Sequence, residues 1–218
     1  EPTMVKDINP SGDSYPYNFI ELNGLIYFAA DDGVSGNELW KTDGTDEGTV
    51  MVSNINPSAG SNPYKLFSNN GILYFIADDG IHGIEVWKSD GTEVGTQILK
   101  DVNPTGDSNP VNFLSYNSNV YFLADDGTHG YEIWRTDGTE NGTVLVKDIN
   151  PSGDISNDYN FNKMVLYKGE LYFSARNDTH GAELWKTDGT KEGTIMVKDI
   201  YPGVGGLSPT LGGVFDDK

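Results

Sequence analysis

Glu38-Leu39-Trp40-Lys41-Thr42-Asp43-Gly44-Thr45 is the stretch on which the fold turns, because the chain repeats it three more times. It returns at residues 85–92, 132–139 and 183–190, with Val86 and Ile133 in place of Leu, Arg135 in place of Lys and Ser89 in place of Thr. The tryptophans, Trp40, Trp87, Trp134 and Trp185, are spaced by 47, 47 and 51 residues. Self-similarity at a fixed period of this length marks a repeat architecture, in which one unit cannot bury its apolar faces alone. The four extra residues of the last step are placed near residues 155–159, in a loop, where insertions are tolerated.

Working outward from the repeated stretch, each unit reads as four short strands. The first is expected at residues 17–22, 64–68, 112–116 and 163–167, and the second at 25–30, 72–77, 120–124 and 171–175. The third contains the Trp, and the fourth is expected at 50–55, 97–102, 144–149 and 195–200. Aromatic and β-branched residues fill these runs and Gly, Asn, Asp and Pro separate them. No stretch holds a 3.6-residue period, so almost no helix is expected. Four strands in about 47 residues is the size of a propeller blade, and stacking blades radially covers both faces of each. The expected fold is all-β, a β-propeller of four-stranded antiparallel blades with four complete repeats. A β-solenoid is the competitor, but its coils are shorter and lack three tight hairpins per unit. The single repeat domain, 1–218, divides into a surplus N-terminal strand and loop (1–14) and blades at 15–57, 62–104, 109–151 and 158–202. Residues 203–218 are a tail or the start of a further blade. Residues 3–8 repeat the fourth strand although they precede the first unit, and Leu207-Ser208-Pro209 echoes Ser14-Tyr15-Pro16. The expectation is a partial ring of a larger propeller, with a closed four-bladed ring as the alternative.

Charge narrows the partners. With 14 Lys+Arg against 33 Asp+Glu the net charge is −19, which repels nucleic acid and anionic lipid. No run approaches 18 apolar residues, so no membrane insertion is expected. The absence of cysteine excludes disulfides and thiolate chemistry. No signal peptide is visible, and a start at Glu1 fits a processed or trimmed product.

The Glu-Leu-Trp-x-x-Asp-Gly-Thr stretch, followed by Gly48-Thr49, Gly142-Thr143 and Gly193-Thr194, resembles the ELWxxDGT repeat of large secreted and surface-attached bacterial proteins. The resemblance covers nearly the whole chain. It implies a propeller and an extracellular or cell-surface setting, and no shared activity comes with it.

The candidate residues divide by their place in the repeat. Trp40, Trp87, Trp134 and Trp185 suit packing between blades. Glu38 and its copies suit a satisfied carboxylate that accepts backbone N–H groups. Asp43, Asp90, Asp137 and Asp188 suit Asx-turns, with the next Gly supplying positive φ. Between the second and third strands lie Asp31 and Asp32, Asp78 and Asp79, and Asp125 and Asp126. Plain turn chemistry explains these pairs, and with neighbouring glycines and the following Glu they could also place hard oxygen ligands around calcium. The chain's three histidines, His82, His129 and His180, share one position of the same loop. Copies on separate blades stand too far apart for one zinc site. Strand parity puts these loops on the side of the blades that also carries the fourth-to-first loops with Asp13, Asp107 and Asp154. A ligand is expected there, with the Asp-Gly-Thr hairpins on the opposite side.

Repeated near-identical surfaces favour multivalent contact, whereas catalysis needs unlike groups converging at one place. The leading expectation is a non-catalytic binding or adhesion module that needs no cofactor and meets a glycan or protein partner at the cell surface. The alternative is an accessory or spacer propeller of a larger extracellular enzyme, with further blades or domains of the same parent as partners. A hydrolase using paired aspartates is a third reading. Arg135 and Arg176, the only arginines, are too few for a sialidase-like arginine cluster.

Overall fold

The computed structural model describes residues 2–156 and 164–204, and every regular element among them is a strand. None of the described residues forms a helix long and apolar enough to cross a membrane. The first sheet contains β1 (Tyr17–Leu22), β2 (Leu25–Asp31), β3 (Asn37–Thr42) and β4 (Val50–Ser53). The second contains β5 (Tyr64–Asn69), β6 (Ile72–Asp78), β7 (Ile84–Ser89) and β8 (Gln97–Lys100). The third contains β9 (Val111–Tyr116), β10 (Asn119–Asp125), β11 (Tyr131–Thr136) and β12 (Val144–Lys147). The fourth contains β13 (Val165–Tyr167), β14 (Glu170–Ala175), β15 (Glu183–Thr187) and β16 (Ile195–Lys198). Each sheet is antiparallel with its strands in chain order, so the four sheets are four blades of a β-propeller fold.

Local chemistry fixes the hairpins. The β1–β2 and β5–β6 turns are Asn23-Gly24 and Asn70-Gly71, with φ of 54° and 80° and of 50° and 78°. Two successive positive φ values match the right-handed twist of the flanking strands, and Asn-Gly adopts them at least cost. The Asp-Gly-Thr hairpins close on themselves. Asp43 Oδ1 accepts from the Thr45 N–H at 2.9 Å and its hydroxyl at 2.7 Å, and Thr45 Oγ1 accepts from the Gly48 N–H at 2.9 Å. Thr49 Oγ1 lies 2.6 Å from Thr42 Oγ1. The same set recurs around Asp90, Asp137 and Asp188. Gly48 is obligatory here, since a Cβ would meet Asp43 Oδ1 at 2.0 Å.

The chain divides into two compact units, Glu1–Asn109 and Pro110–Lys218, each holding two blades. In the first unit, one face of blade 1 (Tyr27, Leu39, Val52, Ile55) packs on the opposite face of blade 2 (Leu73, Phe75, Ala77, Trp87). In the second, Tyr121, Ile133, Val146 and Ile149 of blade 3 pack on Leu171, Phe173, Ala175 and Trp185 of blade 4. The junction is thus built twice from equivalent positions.

Two expectations need correction. The fourth strands end at Ser53, Lys100, Lys147 and Lys198, two residues before residues 55, 102, 149 and 200. They stop because the next N–H groups leave the ladder for a buried carboxylate: Ile55 and Asn56 donate to Glu38 at 3.1 and 2.9 Å. Residues 3–8 form no strand, since no neighbouring strand pairs with them among the described residues. Ile8 nevertheless packs against Phe28, Ala30 and Trp40. Residues 157–159 of the insertion, residues 158–163 at the start of blade 4 and the tail 205–218 lie outside the described residues.

Candidate functional site

The buried glutamate organises one side of every blade. Glu38, completely buried, accepts from the N–H groups of Ile55, Asn56 and Ser61 and from the Ser61 hydroxyl. Glu85 does the same with Val102, Asn103 and Ser108. These bonds tie the third strand to the fourth-to-first loop, so that the loop stands beside the second-to-third loop. Burial pushes the Glu85 carboxyl up to about 7 in spite of its donors. Burial also pushes Glu132 up, to about 8, with the charges of Asp148 and Asp154 adding to it.

Asp107 and Asp154, expected to meet a ligand, each cap the third strand through one oxygen. Asp107 Oδ1 accepts from the Ile84 N–H and Asp154 Oδ1 from the Tyr131 N–H, both at 2.9 Å. Asp13 occupies the same place in the repeat and is exposed beside Tyr15, whose phenol it raises.

The Asp pairs of the second-to-third loops are committed to the backbone. Asp31, Asp78 and Asp125 each accept through Oδ1 from the N–H two residues on, at 2.7, 2.7 and 2.8 Å. Asp32 accepts from Val34 and Ser35, Asp79 from Ile81 and His82, and Asp126 from Thr128 and His129. Asn177 makes the same turn in blade 4, so the position needs a side-chain oxygen rather than a charge. Among the described residues no three His, Asp or Glu side chains gather into a group that could hold a metal.

The second oxygen of the turn carboxylate holds the histidine. His82 Nδ1 lies 2.7 Å from Asp79 Oδ2 and His129 Nδ1 lies 2.7 Å from Asp126 Oδ2, with side chains 41% and 38% exposed. His180 turns its Nδ1 to Asn177 Oδ1 at 3.0 Å, and its Nε2 lies 3.9 Å from Asp199 Oδ2. The hydrogen bond to Asp79 raises the His82 pKa, and the charges of Asp101 and Glu85 add to it. The bond to Asp126 raises His129, with Asp148 adding. Burial works against ionisation of Asp79 and Asp126, but the loop N–H groups and the histidines outweigh it and hold both carboxyls low. Asp101, Asp148 and Asp199 were not picked out from sequence. Their signal was internal: units 2–4 carry His with Asp at these two places, and unit 1 carries Ser35 with Asn54.

The tryptophans sit at the blade faces. Trp40, Trp87, Trp134 and Trp185 are all buried, and the indole N–H groups of Trp40, Trp87 and Trp185 have no hydrogen-bond partner among the described residues. Lys147 Nζ lies 5.9 Å from the Trp185 ring centroid. This is apolar packing with no polar handle offered to a ligand.

No family model matches the chain. No curated protein matches it either. Among solved structures it is similar to a puromycin hydrolase mutant complexed with PGG, with a TM-score of 0.51 and 13% identity. That match covers 87% of this chain and 30% of the hydrolase. The chain is also similar to a computationally designed protein (TM-score 0.48, 13% identity, 92% of this chain and 54% of that one). A third likeness is to an alpha-L-arabinofuranosidase from Clostridium thermocellum (TM-score 0.34, 15% identity, 86% of this chain and 73% of that one). The chain therefore spans about a third of the hydrolase and about half of the designed protein. The likeness to the hydrolase agrees with the propeller fold and speaks to nothing else.

Proposed function

We propose that the chain is a non-catalytic binding or adhesion module of a secreted or cell-surface bacterial protein of the ELWxxDGT-repeat type. It presents its second-to-third loops to a glycan or protein partner. The observation that supports this is the repeated presentation of one group: a half-exposed histidine, held at Nδ1 by the preceding turn carboxylate at 2.7 Å in both blade 2 and blade 3. Loops on a rigid scaffold are where binding residues concentrate, and repetition of a weak site raises avidity without any new contact. The test compares the wild-type chain with a His82→Ala, His129→Ala, His180→Ala variant on a glycan array and a panel of cell-surface proteins. The variant should stay folded and lose binding. Equal binding by both, or turnover of a glycan or peptide substrate by the wild type, would overturn the reading.

A spacer propeller within a larger extracellular enzyme is the second reading. What favours it is the match to a hydrolase of which this chain spans only 30%. The parent polypeptide decides between the two: a catalytic domain in the same chain supports the spacer.

A further inference from the structure

Internal blade junctions show what the outer blade faces are built for. At the start of the second strand, Leu73 and Leu171 are completely buried, whereas Ile26 at the same place in blade 1 is 44% exposed. In the fourth strand Val52 and Val146 are each 5% exposed, whereas Val197 in blade 4 is 45% exposed. Just after that strand Ile55 and Ile149 are 9% and 4% exposed, whereas Ile200 is 58% exposed. Blade 1 thus leaves open the part around Ile26 of the face that takes a preceding blade, its Phe28, Ala30 and Trp40 being buried with Ile8 and Met51, and blade 4 bares the face that takes a following one. Exposed apolar faces of repeat ends are sites of association.

Two further observations say what fits. Met4-Val5-Lys6-Asp7-Ile8 is identical to Met196-Val197-Lys198-Asp199-Ile200, the outer strand of blade 4 and its continuation. Ile8 already packs on Phe28, Ala30 and Trp40, as Ile55 packs in the cluster with Phe75, Ala77 and Trp87. Capping groups are complementary as well. Among the described residues Glu183 accepts from Ile200 and Tyr201, whereas Glu38 and Glu85 also take a serine from the following loop. Ser14 is the serine of that place in the N-terminal loop, and Asp13 matches Asp107, which caps Ile84 of the preceding strand.

We propose that a second copy of this chain covers both faces, head to tail. Met4–Ser14 of one copy docks on blade 4 of the other as its outer strand and capping loop, in the place of that blade's own identical segment. Ser14 then donates to Glu183, and Asp13 caps the Ala182 N–H. The junction repeats the one built twice inside the chain, and its two sides are different surfaces of the same molecule, a heterologous contact. This holds whether or not the histidine loops bind a ligand.

Light scattering after gel filtration should show wild-type chain associating as its concentration rises. Ile26→Lys places an ammonium in the blade 1 side of the junction, and Leu184→Lys, on the third strand of blade 4 that stays in place when the outer segment is exchanged, places one in the other; neither position is fully buried, so each variant should fold. Each alone should weaken association about 100-fold or more. Mixing them should restore one junction, because each keeps the side that the other has lost. The chain has no cysteine, so a Thr3→Cys, Lys186→Cys variant tests the strand placement. Lys186 pairs with Ile195, the equivalent of Thr3, so mild oxidation should link two copies. A wild-type chain monomeric at every concentration, lysine variants that associate like wild type, no recovery on mixing, or no cross-linked dimer would each overturn the proposal.

Discussion

Ser108 donates its hydroxyl to the buried Glu85 Oε2 over 2.6 Å, and at the matching place beside Glu132 the chain has Ile155. Glu132 Oε2 consequently has no hydrogen-bond partner among the described residues, and Asn150 Oδ1 and Asp148 Oδ1 are likewise unpartnered. Burial first of all pushes Glu132 up to about 8, the charges of Asp148 and Asp154 add to it, and a buried carboxylate short of a donor lacks the hydroxyl that lowers Glu85.

Stability should therefore fall with rising pH. A carboxyl raised in the folded state binds its proton more tightly there than in the unfolded chain, where its pKa is about 4.3. Its contribution is complete below that value and is lost as pH rises to about 8 for Glu132. Glu132→Gln keeps the shape and removes the titration. Denaturant midpoints of the variant should fall less than those of wild type between acid and mildly alkaline pH. Some slope should remain from Glu85, which reaches about 7. Identical slopes would show that Glu132 titrates normally.

The serine should be separable from the rest of the loop. Ser108→Ala removes a hydroxyl from a buried carboxylate and should cost about 1–3 kcal/mol while pushing Glu85 higher. The converse change, Ile155→Ser, supplies Glu132 with a donor and should bring its pKa down, read by carboxyl carbon NMR. An unmoved Glu132 resonance would mean that the hydroxyl cannot reach it.

Strand count and blade size were legible because period-2 runs and turn residues recur at a fixed spacing. The ends of the fourth strands were not. Ile55 continues the β-branched run, and only the position of Glu38 seventeen residues earlier shows that its N–H leaves the ladder. Asp107 and Asp154 read as free surface carboxylates for a similar reason: their partners, the N–H groups of Ile84 and Tyr131, lie 23 residues away. Turn roles within a few residues, such as Asp43 with Thr45, need no tertiary knowledge and were readable. The side-chain oxygen holding each histidine is also local, three residues before it on Asp79, Asp126 or Asn177, but turn chemistry alone accounted for that position.

Glycine substitutions test the hairpin geometry. Gly95→Ala puts a Cβ 2.0 Å from Asp90 Oδ1, so the Asp90 turn must open. It should lower stability by about 1–3 kcal/mol. Gly12→Ala meets nothing nearer than 3.8 Å and has no positive φ, and should be nearly neutral. Equal thermal midpoints for the two variants would remove the case for an obligatory glycine.

His82 and His129 should titrate above the ordinary range, and the two carboxylates should account for it. Asp79 raises His82 and Asp126 raises His129, each chiefly through its hydrogen bond to Nδ1. A raised histidine contributes stability that is complete below its unfolded pKa of about 6.5 and is lost as pH rises through the folded value. At the acid end the sign reverses for the partners. Asp79 and Asp126 are held low, so their contribution is lost only as pH falls through their folded values. The paired, charged state is therefore confined to the window between the two. With both rings well exposed, solvent screens the pair and the effect on melting should be small. Binding is the sharper readout. If a partner recognises the protonated ring, affinity should fall as pH rises through the histidine titration seen by NMR. Asp79→Asn should move the His82 midpoint down and leave His129 in place. An affinity that ignores pH across that titration would show that the partner does not recognise the protonated ring of His82 or His129.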